Sequence, residues 1–301
     1  MKIGIVLPLF SGDPVKVRTV ASSADELGFD GVFAFDHFFP PGAPPDRPSL
    51  EAFATLSSIA ARYPHLTLGT LVTRAALRPA GLLAKMAVSL DDMSGGRFVL
   101  GIGTGDPIDL PEHDAFGFGS LGVKERRVHL EETIGALRVL FRGESWPGGE
   151  FVAEIDGPLL PPPITPGGPP VWVGGQADAV VRLAARVADA WNGWGLHVPE
   201  FARKVAVLRE ASDEVGRIVA STWAGIVLVG RDDDEAGRLL EQRYERGMPE
   251  TNIWAGSAGA LIRFLARLGD AGASWTVLVA AGPPDRIELI ARAVLPAIDR
   301  S

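Results

Sequence analysis

"PPVWVGGQADAVVRLAARVADAWNGW", residues 169–194, carries a complete strand–helix–strand unit. Val171, Trp172 and Val173 form a short apolar run that stops at Gly174-Gly175. Val180, Leu183, Ala184 and Val187 then recur at helical spacing, and residues 190–194 return to a strand. A run this short and apolar on both faces is expected of a parallel strand covered on both sides, with the helix as its crossover.

Working outward, the same unit repeats in both directions. Short apolar runs bounded by Gly, Pro or polar residues predict further strands at 3–8, 31–36, 66–72, 97–102, 223–229 and 275–280. Helical stripes lie between them: Leu82, Met86, Leu90 and Met93; Leu130, Ile134, Leu137 and Phe141; and, after Pro283-Pro284, Ile287, Ile290, Val294 and Ile298. Strands alternating with helices over this length predict a single α/β domain spanning residues 1–301, a (β/α)8 TIM barrel with insertions. The competing doubly wound open sheet usually begins with a G-x-G-x-x-G turn. Here the first strand runs into "PLFSGDP", residues 8–14, which is no such turn.

Three segments break the alternation. Residues 106–122, "DPIDLPEHDAFGFGSLG", follow a strand, so in a barrel they fall on the functional face. Residues 145–170 follow a helix and are expected on the opposite face as a non-catalytic insertion. Residues 230–255 read as an extra helix and a loop before the helix that begins near Ser257.

Composition narrows the function. A net charge of −8 with pI near 5.2 argues against nucleic acid or an anionic membrane as partner. The absence of cysteine removes disulfides, thiolate metal sites and a thiol nucleophile. Neither a signal peptide in "MKIGIVLPLF" nor a membrane span is legible, which gives a cytoplasmic expectation. The five histidines are scattered without H-x-H or H-E-x-x-H, so no metal site is expected.

Polar and glycine residues gather just past the strand C-termini, at Phe10-Ser11, Asp36-His37, Thr70–Thr73, Gly103–Asp106, Gly174-Gly175 and Asn192–His197. That asymmetry points to an enzyme. Asp36-His37 is an ionisable pair at the end of an apolar strand, and an imidazole beside a carboxylate can work as acid or base near neutral pH. Gly101, Gly103 and Gly105 alternate on one strand; glycine there leaves room for a ligand such as a flat ring, or for tight packing in the barrel centre. Gly174-Gly175 at a helix N-terminus reads as a phosphate site or as a plain strand-to-helix turn. Trp194 suits a pocket wall or the core. His113 and His197 fall on functional-face loops, where solvent exposure is expected and substrate contact is the alternative.

Taken together, "GIVLP", "GFDGVFAFDHFF", "LTLGTLVT", "LDDMSGGRFVLGIGTGD" and the opening stretch, in this order, resemble the luciferase-like oxidoreductases, and within them the branch that uses the deazaflavin coenzyme F420. The resemblance implies a bacterial-luciferase-like barrel with the deazaflavin at the strand C-termini. It implies Asp36 as a cofactor contact, His37 as acid or base with Asp106 assisting, and a cis peptide at Leu71-Val72 forming a bulge behind the ring. Thr70, Thr104, Gly105 and Asp106 would line the cofactor, and Gly174 and Gly175 would hold its phosphate. Phe10, Phe38, Trp194 and His197 would line the substrate pocket. The partner expected is a small-molecule substrate, with a homodimer as the assembly. Asp106 stands where a glucose 6-phosphate-specific relative has Glu, and Pro41 stands where that relative has Trp, which argues against that sugar phosphate. FMN in a monooxygenase of the same superfamily is the alternative cofactor, and a non-catalytic flavin or deazaflavin carrier is the alternative function.

Overall fold

A computed structural model of the chain describes residues 1–246 and 252–299. Ten strands lie in one parallel sheet: β1 Lys2–Val6, β2 Gly31–Ala34, β3 Thr67–Thr70, β4 Thr73–Arg74, β5 Phe98–Gly103, β6 Val171–Gly174, β7 Ala190–Trp194, β8 Ala220–Gly230, β9 Ile253–Ser257 and β10 Ala273–Ala281. The order runs β10-β1-β2-β3-β5-β6-β7-β8, and β10 pairs back onto β8, so the sheet closes into an eight-stranded barrel. The helices are α1 Pro14–Glu26, α2 Ala52–Ala60, α3 Ala80–Ser94, α4 Leu110–Phe116, α5 Val123–Phe141, α6 Asp178–Val187, α7 Val198–Glu214, α8 Asp233–Glu245, α9 Ala258–Asp270 and α10 Arg286–Ala293.

The expected TIM barrel is therefore the fold. Side chains alternate along each strand, so one set fills the barrel and the other meets the helices. Phe33, Trp172 and Trp275 fill the barrel's lower half, their ring centroids 5.4 to 5.8 Å apart. Truncating a buried ring of this size typically costs about 3–5 kcal/mol. Leu56, Leu83, Val88, Leu130, Ile134, Leu137, Val181 and Leu208 pack outside the sheet in the larger core.

Two expectations are corrected. Residues 253–257 are not loop: they form β9, which lies beside the C-terminal half of β8, Ile226 against Ile253 through Gly230 against Ser257. β8 outruns the barrel, and β9 covers the edge that β7 leaves. Residues 247–251 of the same expected insertion lie outside the described residues. On α3, Leu82 and Met93 are exposed, whereas Leu83, Ala84, Ala87, Val88 and Leu90 are buried. Two overlapping apolar stripes run along that helix, and the one through Leu83, Ala84, Ala87 and Leu90 faces the core.

Residues 145–170 are tied to the outer helices. Glu132 of α5 accepts from the N–H groups of Glu150, Phe151 and Val152, and Asp91 of α3 accepts from Thr165. Residues 106–122 fold over the C-terminal mouth and include α4.

Candidate active site

β3 stops at Thr70 and resumes as β4 at Thr73, with Leu71 and Val72 bulged between them and a cis peptide joining the two. The bulge sits on glycines. A Cβ built on Gly101 would overlap the Thr70 carbonyl oxygen; one on Gly103 would stand 2.9 Å from Val72 Cγ2, and one on Gly174 3.0 Å from Val72 Cγ1. The alternating glycines of β5 thus give room to the neighbouring chain, as tight packing, and not directly to a ring. Thr70 is fully buried and its hydroxyl donates to Gly101 O at 2.7 Å, which pins β3 to β5 just below the bulge. Gly105 takes a φ of +72°, and a Cβ there would press on the Arg74 side chain at 3.0 Å. Thr104 Oγ1 donates to Gly105 O at 3.2 Å.

Asp36 and His37 part company at the end of β2. Asp36 is 1% exposed and both its oxygens accept from Arg78, at 2.6 and 3.2 Å; Arg78 also reaches Glu51 at 2.7 Å. Burial alone would lower the Arg78 guanidinium, but its bonds and charge pairing with Asp36 and Glu51 outweigh that and raise it. The carboxylate that meets His37 is not Asp36 but Glu112 of α4, with Oε2 2.9 Å from Nδ1. Glu112 Oε1 accepts from Arg74 Nη2 at 2.8 Å and from the Phe38 N–H. Burial alone would push the Glu112 carboxyl up; the hydrogen bonds from His37, Phe38 and Arg74 outweigh it and hold the group below the ordinary carboxylate range.

Asp109 joins the same cluster, 3.7 Å from His37 Nδ1 and 3.9 Å from Arg74 Nη1. His37, Asp109 and Glu112 each offer a ligand atom within 4.8 Å of the others, the spacing of a cation site. Arg74, itself buried, pairs closely with Glu112 and more distantly with Asp109, so one guanidinium meets one of the two carboxylate charges. Asp106 is exposed as a residue, and its N–H donates to Asp109 at 2.7 Å. Partial desolvation of its carboxyl, then the Asp109 charge, raise it above the ordinary range, while Arg126 and His37 draw it part of the way back. Among the described residues its carboxyl makes no hydrogen bond to His37; the carboxylate bonded to that ring is Glu112.

The aromatic residues form two groups. Phe10 stacks on Phe35 at 5.6 Å and 13°, Phe35 meets Trp194 edge-on at 5.5 Å, and His37 lies 6.1 Å from Phe10. Phe38 instead joins Phe116 and Phe118, at 4.6 and 5.5 Å. Phe10 is therefore brought to His37 and Trp194 joins it through Phe35, whereas Phe38 turns to the α4 excursion. His197 stands exposed at the N-cap of α7. His113 is buried, contrary to the exposure expected, because its Nδ1 bonds Gly119 O at 2.9 Å and its ring packs on Phe118.

At the end of β6, Gly175 has φ +150°, and a Cβ there would meet Val180 Cγ1 at 2.8 Å. Its carbonyl accepts from Trp191 Nε1 at 2.7 Å. Helix α6 starts behind it with Ala177 at the N-cap and no side-chain cap among the described residues. Lys204 and Arg203 reach Asp178 there, at 2.5 and 3.3 Å.

Sequence reasoning missed Arg74, Arg78, Asp109 and Glu112. Two signals were present: Arg74 and Arg78 directly after the third strand, and the Asp109-to-Glu112 spacing that puts both carboxyls on one face of a helical turn.

A family model described as luciferase-like monooxygenase matches residues 1–289. An F420-dependent glucose-6-phosphate dehydrogenase from Nakamurella multipartita is 29% identical over 259 residues, 81% of this chain and 69% of that protein. The pyrimidine monooxygenase RutA from Enterobacter cloacae is 32% identical over 206 residues, 66% of this chain; the match spans 55% of that protein's length. Among solved structures, an F420-dependent secondary alcohol dehydrogenase in complex with an F420-acetone adduct superposes with a TM-score of 0.86, at 19% identity and 99% coverage of both chains.

Proposed function

The chain belongs to the luciferase-like monooxygenase family, and from that premise we propose that it is an F420-dependent oxidoreductase, moving a hydride between the deazaflavin C5 and a small organic substrate. The observation that carries this reading is the set of groups at one barrel mouth: Phe10 stacked on Phe35, Trp194 edge-on to Phe35, and the His37 imidazole beside Phe10. The residues present fit such a cofactor. A tricyclic ring needs apolar surface beside it, which these side chains and the Val72 bulge would supply. A phosphate needs N–H donors, and α6 begins without a side-chain cap; Lys204 and Arg203 stand beside it, both paired with Asp178 of its first turn.

Leu71, Val72, Thr104, Gly105 and Asp106 would line the ring, with buried Thr70 holding β3 to Gly101 beneath them, and Gly174 and Gly175 would hold the phosphate. When bound, a deazaflavin supplies a two-electron hydride donor or acceptor, without the ring nitrogen through which reduced flavin activates oxygen. His37 is assigned the matching proton, taken from or given to the substrate heteroatom. Asp36, clamped by Arg78, fixes the end of β2 from which His37 projects. Phe10, Phe35 and Trp194 keep water from the imidazole. Orientation and electrostatics are the protein's share of the work.

The test offers oxygen-free protein and reduced F420 a ketone, an aldehyde, an imine and an activated alkene. We expect turnover of one class, a drop of roughly 10²–10⁴-fold in His37→Ala, a smaller loss in Asp106→Ala, and F420 binding retained in both. Unimpaired hydride transfer in both variants would remove these roles. The similarity to RutA supports a second reading, a monooxygenase using FMN; product formation that requires oxygen and FMN would favour it.

A further inference from the structure

Glu112 is bonded to by three donors at once: His37 Nδ1 at Oε2, and Arg74 and the Phe38 N–H at Oε1. We propose that Glu112 is a positioning residue which locks the proton of neutral His37 on Nδ1, leaving Nε2 as the atom that takes and gives the proton. The proposal rests on the reading of His37 as the site's proton carrier.

An ionised carboxylate only accepts hydrogen bonds. Glu112 is 2% exposed, and Arg74, 3% exposed, pairs with it from the far side. The imidazole nitrogen 2.9 Å away must therefore present an N–H. A bare Nδ1 would set its lone pair against that of Oε2 in a buried site, where an unmet acceptor is costly. Asp109 Oδ1, 3.7 Å from the same nitrogen, acts in the same direction. Neutral imidazole has one N–H, so Nε2 is bare.

The proton balance is simple. When substrate gives up a proton, Nε2 accepts it, the Nδ1–Glu112 bond stays in place, and the new imidazolium faces a carboxylate. In the reverse sense, Nε2–H donates and His37 returns to the neutral Nδ1–H form. Glu112 itself neither gains nor loses a proton. The carboxylate also bonds consecutive residues of the β2 loop, His37 through its ring and Phe38 through its backbone. Helix α4 is thereby tied to the base, which gives the 106–122 excursion a part in the chemistry.

The experiment reads the tautomer directly, without cofactor or substrate. Protein labelled with ¹⁵N in histidine is examined by long-range ¹H–¹⁵N spectra at mildly alkaline pH, and His37 is identified by the signals missing in His37→Ala. Wild type is expected to show a protonated Nδ1 and a bare Nε2. Glu112→Ala should move the tautomer ratio toward Nε2–H by roughly ten-fold or more, the worth of a charge-assisted hydrogen bond. Because Glu112→Ala orphans a buried guanidinium, a second variant, Glu112→Leu with Arg74→Met, removes both charges together and should show the same shift. A wild-type His37 protonated on Nε2, or an unchanged tautomer in the folded double variant, overturns the proposal. A tautomer that shifts as stated, while His37→Ala still transfers hydride at the wild-type rate, overturns instead the reading on which the proposal rests.

Discussion

Asp36 and His37 are adjacent in the chain and answer to different partners. One carboxylate is spent on Arg78, and the imidazole is served by an acid from 75 residues further on. Strand geometry explains this: neighbours at a strand end diverge, so a pair side by side in sequence seldom shares one contact. The strand-end position of His37 could be read from the chain, as could the aromatic character around it. Glu112 left only the trace of its three-residue spacing from Asp109, because its helix lies in a stretch whose prolines and glycines look like loop. The Glu112 carboxyl titrates below its ordinary 4.5 in the folded protein, so its contribution to stability is complete above that value and is lost as pH falls through the lowered one. Glu112→Gln should therefore cost about 3–5 kcal/mol at neutral pH, the price of breaking a buried pair. That deficit should shrink in acid. Urea unfolding of both proteins across that range checks it, and a deficit that does not change with pH would contradict it.

The element that shapes the site is the interrupted third strand. Its bulge was expected from the resemblance, and the glycines of the fifth strand were expected from the sequence. What the sequence left open was their relation: the glycines are where the bulge sits. Gly174 and Val72 are therefore coupled. Gly174→Ala should cost about 1–3 kcal/mol through overpacking, and most of that cost should vanish in a Val72→Ala background. Gly101→Ala should not be rescued, because its Cβ meets the Thr70 backbone. A double-mutant cycle by chemical denaturation reads the coupling; additive costs for Gly174 and Val72 would refute it. At the same scale β9 escaped notice since "IWAGS" has two strand formers followed by Ala, Gly and Ser, too few to distinguish it from loop. Its pairing with β8 is a tertiary fact.

For the whole molecule, the count of short apolar runs, each followed by a helix, was enough to predict closure, because eight such units fill a barrel and an open sheet needs fewer. The barrel then sorts function by end: the Phe33, Trp172 and Trp275 plug below, the aromatic wall and charged network above. Net charge is −8, and among the described residues no helix is long and apolar enough to cross a membrane. Substrate identity was not legible, since the rim that selects it is built from loops whose partners are distant in sequence. The central claim is that this mouth receives a deazaflavin. Titrating purified apoprotein with F420 and, separately, with FMN, while following cofactor fluorescence, tests it most directly. Saturable binding of F420 much tighter than that of FMN is the predicted result; binding of FMN alone, or of neither, would contradict it.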